Sequence, residues 1–165
     1  MAHFNADGLL HKYGTEEAAA GQAGELCVYG PLLEVVVRLD LVDDAPLAST
    51  ILDDSNVILP ANARIEEVEI VTHTAATSAG AATLNIGLIR LDRTTALDAD
   101  GLVAALAITA YDAAGEKTVI RVGSTGAGAL LGTTLANPGY LVIDAETAVF
   151  TAGVIHVRIK YYMVA

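Results

Sequence analysis

Residues 154–163 read Val-Ile-His-Val-Arg-Ile-Lys-Tyr-Tyr-Met, and no other stretch constrains the fold as tightly. Ile155, Val157, Ile159, Tyr161 and Met163 fall on one face, and His156, Arg158, Lys160 and Tyr162 on the other. Successive side chains of a strand point to opposite sides, so this segment separates apolar from polar only when extended. Such a strand is stable in a sheet whose apolar face is covered by a second layer.

The same signal recurs upstream. In residues 34–42, Val35, Val37, Leu39 and Leu41 oppose Glu34, Arg38 and Asp40, with Val36 and Val42 on the polar side; Asp43-Asp44-Ala45-Pro46 ends the strand. Val57-Ile58-Leu59 leads into a turn at Pro60. In residues 64–72, Ile65 is out of phase with Val68 and Ile70, which predicts a β-bulge near Glu66–Glu67. Residues 73–82, made of His, Thr, Ser, Ala and Gly, read as a loop. Residues 83–91 form the next strand, with Leu84, Ile86 and Leu88 opposite Asn85 and Gly87, where the glycine marks a bend or a close backbone approach. Residues 99–110, ADGLVAALAITA, are the helix candidate, one or two turns capped by Asp98 or Asp100. Residues 118–122 read as strand, 123–132 as a flexible glycine-rich loop, and 140–143 and 147–150 as short strands around Asp144-Ala145-Glu146.

About eight short strands at irregular spacing predict an all-β fold, an antiparallel β-sandwich with at most one short helix. A jelly roll comes first; an immunoglobulin-like sandwich comes second, since its Cys…Trp…Cys hallmark is missing. Residues 1–25 read as an extended N-terminal arm, broken by Gly8, Gly14, Gly21 and Gly24 and carrying spaced apolar anchors; residues 26–165 read as a single sandwich domain.

Composition narrows the function. Charged residues make up 18% of the chain, against about 25% in ordinary globular domains, and 53% are hydrophobic. A surface short of charge fits burial in an assembly. The net charge of −11 is uneven: residues 31–115 carry −9 and residues 116–165 carry +1. This balance argues against nucleic acid and anionic membranes as partners, which call for clustered basic surface. It suggests an acidic outward surface and a neutral C-terminal third that packs. Cys27, between Leu26 and Val28, is the sole cysteine, so no intrachain disulfide forms; it reads as a buried thiol in a strand. The N-terminal sequence lacks the apolar core of a signal peptide, so synthesis in the cytoplasm is expected.

Catalytic patterns fail one by one. The run Gly123, Gly126, Gly128, Gly132 has neither the Lys-Ser/Thr of a phosphate loop nor the spacing of a dinucleotide fingerprint. Asp92, Asp98 and Asp100 lack the alternation and closing Glu of a calcium loop and read as turn and cap residues. His3, His11, His73 and His156 offer no local pair for a metal; His73 and His156 meet only if the tertiary fold brings them together. No nucleophile elbow is present. Glu66, Glu67 and Glu69 read as a solvated strand face. Neither catalytic residues, nor a metal site, nor a cofactor is expected.

The stretches LPANARIEEVEIV, ATLNIGLIRLD and DADGLVAAL, within residues 30–110, resemble the capsid decoration, or cement, proteins of tailed bacteriophages. The resemblance implies a jelly-roll structural protein on the outer surface of an icosahedral head, made in the host cytoplasm. It implies a homo-oligomer, with a trimer favoured over a dimer, and the major capsid protein as partner, bridged at subunit junctions. No contact residue carries over from it. Anchors chosen for their apolar or aromatic character are Phe4, Leu9, Leu10 and Tyr13 in the arm and Tyr161, Tyr162 and Met163 at the C-terminus, with Tyr161 reading first as an ordinary core residue. A carbohydrate- or receptor-binding β-module of a phage head or tail fibre is the alternative, thinly served by six Tyr and no Trp. An enzyme on the same fold ranks third.

Overall fold

A computed structural model describes residues 32–47 and 57–164, and elsewhere only the antiparallel pairing of strand β1 (His3–Phe4) with β2 (Leu10–His11). The described chain continues with β3 (Leu33–Asp40), a helical turn α1 (Leu41–Asp44), β4 (Ile58–Leu59), β5 (Ala63–Ser78), β6 (Thr83–Ile89), β7 (Ala96–Ala107), a 3₁₀ turn (Ile108–Ala110), β8 (Lys117–Arg121), β9 (Gly139–Glu146) and β10 (Phe150–Met163). The fold is the expected all-β antiparallel sandwich. One sheet has the order β3-β10-β5-β8, the other β4-β9-β6-β7. Of the seven connections between these eight strands, only β6 to β7 stays within a sheet.

The alternation sets this geometry. Ile155, Val157 and Ile159 of β10 are fully buried against Ile65, Val68 and Ile70 of β5, and Leu84, Ile86, Leu88, Leu141 and Ile143 meet them from the other sheet. At ~25 cal/mol per Å² of apolar surface, such side chains stabilise the fold by roughly 1.5–3 kcal/mol each. The bulge is where the phase slip places it: Lys160 pairs with Glu67, but Tyr161 pairs with Ile65, leaving Glu66 as the extra residue. Asp40 ends β3 by capping α1, its Oδ1 accepting from the Val42 amide at 3.2 Å.

Residues 99–107 are corrected from helix to strand, and Ile108–Ala110 form a single 3₁₀ turn. Leu102, Val103 and Leu106 carry helix-like spacing, yet Val103 pairs with Ile86 and Leu106 with Leu84 in β7, with register shifts between. Bulges produce the non-alternating spacing, and pairing with β6 overrides the alanine-rich helix propensity. Ala105 takes the left-handed conformation (φ 47°), and its amide donates to Asn85 Oδ1 at 2.7 Å.

Residues 73–78 belong to β5 rather than a loop; Thr74 and Ser78 pair with Val154 and Phe150. Gly153 approaches Ala76 closely, and the rest of the segment is polar or alanine, so it lacks an apolar signal while remaining extended. Residues 147–149 turn the chain, and β10 begins at Phe150, so the proposed strand 147–150 is also corrected; Thr147 at φ 73° makes the turn. The glycine-rich segment 123–132 is a loop laid along the edge of β7 rather than a free one. The Ala104 amide donates to Gly126 O (2.9 Å), Gly128 N to Leu102 O (3.2 Å) and Leu130 N to Gly101 O (2.7 Å). A Cβ at Gly128 would overlap the carbonyls of Asp100 and Gly101, so glycine permits this approach, which covers an otherwise open sheet edge.

Candidate assembly interface

The two outer faces of the sandwich carry opposite electrostatics. On the β3-β10-β5-β8 sheet, the registers align Glu34, Lys160, Glu67 and Arg121 in a row across four strands, alternating in sign. The next row is Val36, Arg158, Glu69 and Val119. Directly opposed unlike charges are favourable cross-strand pairs. Lys160 Nζ lies 2.5 Å from Glu67 Oε1 and 3.7 Å from Glu69 Oε2; Arg121 lies 2.7 Å from Glu67, and Lys117 2.7 Å from Glu69. The carboxylates lie underneath. Their side chains are 12% and 6% exposed, against 56% for Lys117 and 67% for Arg121.

The hydrogen bond from Lys160 holds the Glu67 carboxyl below its ordinary value, and that from Lys117 does the same for Glu69, outweighing desolvation in each case. Stability from these groups is therefore full above about pH 4.5 and is lost as pH falls through their lowered values. Glu69→Ala leaves Lys117, Arg158 and Lys160 facing one another and is expected to cost about 2 kcal/mol. That is below the roughly 3–5 kcal/mol of a deeply buried pair, because only one layer of side chains covers the carboxylate. Urea denaturation at neutral pH and again near pH 3 checks this: the gap between the variant and the parent should close in acid.

The outer face of the other sheet is acidic. β7 crosses above Gly87 there, where a Cβ would overlap the carbonyls of Asp98 and Ala99. The crossing brings Asp98 beside Asp100 and Asp100 near Asp144, which pairs with Asn85 across β9 and β6. Desolvation raises Asp98, and Asp100 beside it adds to the rise. Desolvation also raises Asp144, with Glu146 and Asp100 adding to it and the Asn85 amide opposing; its Oδ1 is buried without a hydrogen-bond partner. These groups favour folding when protonated, so their contribution is full below the ordinary aspartate value of 3.8 and is lost as pH rises through the raised values. Asp98→Asn is accordingly expected to raise the melting temperature by about 2 °C near pH 7 and to give no gain near pH 3, measured by thermal unfolding at both pH values.

The sequence-derived candidates scatter. Tyr161 is 9% exposed and packs in the core, offering a partner little surface. Met163 is 38% exposed at the end of β10, and Tyr162 is half-buried on the outer face, paired with Arg64. Phe4 and Leu10 fall in the β1–β2 pair, whose side chains are not described. Leu9, Tyr13 and Cys27 lie outside the described residues. Asp92 is a turn residue as expected: its Oδ1 accepts from the Thr94 amide at 2.9 Å and the Thr95 amide at 3.0 Å. The fold brings His73 and His156 together with their rings parallel within 2° and centroids 6.2 Å apart. Among the described residues, no three His, Cys, Asp or Glu side chains are placed to hold a metal ion. The paired rows of Glu67 and Glu69 escaped the sequence reading, because Lys117, Arg121, Arg158 and Lys160 are distant in the chain and only the sheet register joins them.

No family model and no curated protein matches the sequence. Among solved structures, the chain is similar to one in the cyanophage Pam1 capsid asymmetric unit, at 18% identity and a TM-score of 0.54, over 93% of this chain and 98% of that one. It is also similar to a chain in the acidic stable capsid structure of Helicobacter pylori bacteriophage KHP30, at 13% identity and a TM-score of 0.49, over 82% and 90% of the two chains. At such identity the Pam1 likeness establishes a shared fold.

Proposed function

We propose that this protein is a structural component of a bacteriophage virion, a decoration protein that binds the outer surface of the head and stabilises the shell by bridging major capsid subunits. The observation that carries the reading is the full-length likeness to a chain of the Pam1 capsid asymmetric unit. We read the strand order as a jelly roll: numbered within the sandwich, it is 1-8-3-6 facing 2-7-4-5, the interleaved double Greek key of that fold. The low charge content and the absence of any recognisable catalytic pattern in the sequence agree with a structural role. Residues 1–25 act as an arm laid across a neighbour, with Phe4, Leu9, Leu10 and Tyr13 as anchors, joined by Tyr162 and Met163; a trimer is the favoured assembly. Glycan binding is disfavoured at Tyr140, whose ring is already covered by the Arg93 guanidinium 4.0 Å from its centroid.

Cosedimentation of the purified chain with undecorated heads tests the reading. Saturable binding at a fixed number of copies per head, with an increase in the heads' thermal stability, is expected. Removal of residues 1–20 should weaken binding by about tenfold or more while the circular dichroism of the sandwich is retained. Parent protein that stays in the supernatant at saturating concentration defeats the proposal.

A further inference from the structure

We infer that the outer face of the β3-β10-β5-β8 sheet is the docking surface, and that its partner is a carboxylate-rich protein surface; the inference rests on the decoration reading above. Counted along β3, β10, β5 and β8, this face holds Arg38, Arg64, Lys117, Arg121, Arg158 and Lys160, six of the nine cations of the chain. It holds five acids, Glu34, Asp40, Glu66, Glu67 and Glu69, of the twenty. The face therefore sums to +1, while the remainder of a chain of net charge −11 carries −12.

The vertical arrangement sharpens the contrast. Glu67 and Glu69 are covered, and the groups that reach solvent above them are the cations of Lys117 and Arg121. Arg38 is exposed and makes no ion pair among the described residues. An approaching surface thus meets positive heads held in place by buried carboxylates, a preorganised cationic array whose ordering cost is already met within the fold. Val36 and Val119 sit among these heads in the second row, and Val36 is exposed. Mixed cationic and apolar character suits a protein partner, since carboxylates pair with the heads while the valines lose water. A nucleic acid duplex fits less well, because its charge continues past any one face and meets the acidic remainder of the molecule. The same asymmetry fixes orientation: an acidic shell attracts this face and repels the one that carries Asp98, Asp100 and Asp144.

Charge reversal tests the inference. Arg38→Glu leaves the Glu67–Glu69 network intact, and Lys117→Glu with Arg121→Glu reverses the opposite edge of the same face. Arg90→Glu, an exposed cation away from this sheet, is the control. Each face variant is expected to bind undecorated heads about tenfold more weakly, and the control like the parent. Binding of the parent should weaken as salt rises from about 0.05 to about 0.3 M. Face variants that bind as tightly as the parent overturn the inference and leave decoration standing. Should the parent itself fail to bind heads, the decoration reading falls, and the face is judged by titration with poly-L-glutamate and a duplex DNA oligonucleotide, followed by amide NMR shifts. Shifts confined to β3, β10, β5 and β8 with poly-L-glutamate support the cationic surface. Their absence, or tighter binding of the DNA, overturns it.

Discussion

Replacing Gly87 by valine is expected to lower folding stability by about 3 kcal/mol, at the upper end of overpacking substitutions. The side chain would enter the space of the Asp98 and Ala99 backbone, where β7 crosses the outer face of its sheet. Backbone cannot rotate away as a flexible side chain does, so β7 must lift. Lifting it breaks the Ala105 amide bond to Asn85 and loosens the glycine loop hydrogen-bonded along its edge. Urea unfolding at fixed protein concentration should show a lower midpoint. An unchanged midpoint would mean that β7 does not lie against Gly87. Hydrogen exchange gives a second readout, with faster exchange at Ala104, Gly128 and Leu130 and little change in β10.

Tyr111→Ala should cost more, about 4 kcal/mol, as other large-to-small aromatic changes do. Tyr111 is fully buried beyond the 3₁₀ turn, its ring tilted 58° to that of Phe150 with centroids 6.1 Å apart. Its hydroxyl donates to Leu106 O at a long 3.3 Å, and burial pushes its ionisation far above the ordinary value of 10.0. Tyr111→Phe separates ring from hydroxyl: it should cost under about 1 kcal/mol, since a long neutral hydrogen bond contributes little. A phenylalanine variant as unstable as the alanine variant would place the stabilisation in the hydroxyl and contradict the packing account. For a domain of this size, the alanine variant should melt about 8–16 °C lower.

The legible parts of the fold were those written in local alternation. Ile155 to Tyr161 announced β10, and the slip between Ile65 and Val68 announced the bulge at Glu66. Leu102, Val103 and Leu106 misled for a stated reason: bulged strands mimic helical spacing, and alanine does not reveal which neighbour will pair with it. Residues 73–78 stayed silent because tight packing against Gly153 holds Ala76 small and its neighbours are polar or alanine, which carry no hydrophobic period. The outer-face chemistry was hidden more deeply. Glu67 and Glu69 look like solvated acids until Lys117, Arg121 and Lys160 arrive from two other strands. Net charge alone could not show that one sheet gathers the cations while the other gathers unpaired aspartates, because composition carries no sidedness.

The place of β10 in its sheet has a bearing on biosynthesis. It is the last strand among the described residues, yet it pairs with β3 on one side and β5 on the other, eight residue pairs with β3 alone. The sheet therefore lacks the strand between β3 and β5 until β10 itself has been synthesised. Long-range pairing of this kind is slow to form. A copy terminated before β10 leaves β3 and β5 each with an unpaired edge, the kind of exposed strand edge that makes incomplete chains prone to aggregate. Only chains that include β10 acquire the closed sandwich, so strand order itself separates complete sandwiches from truncated ones.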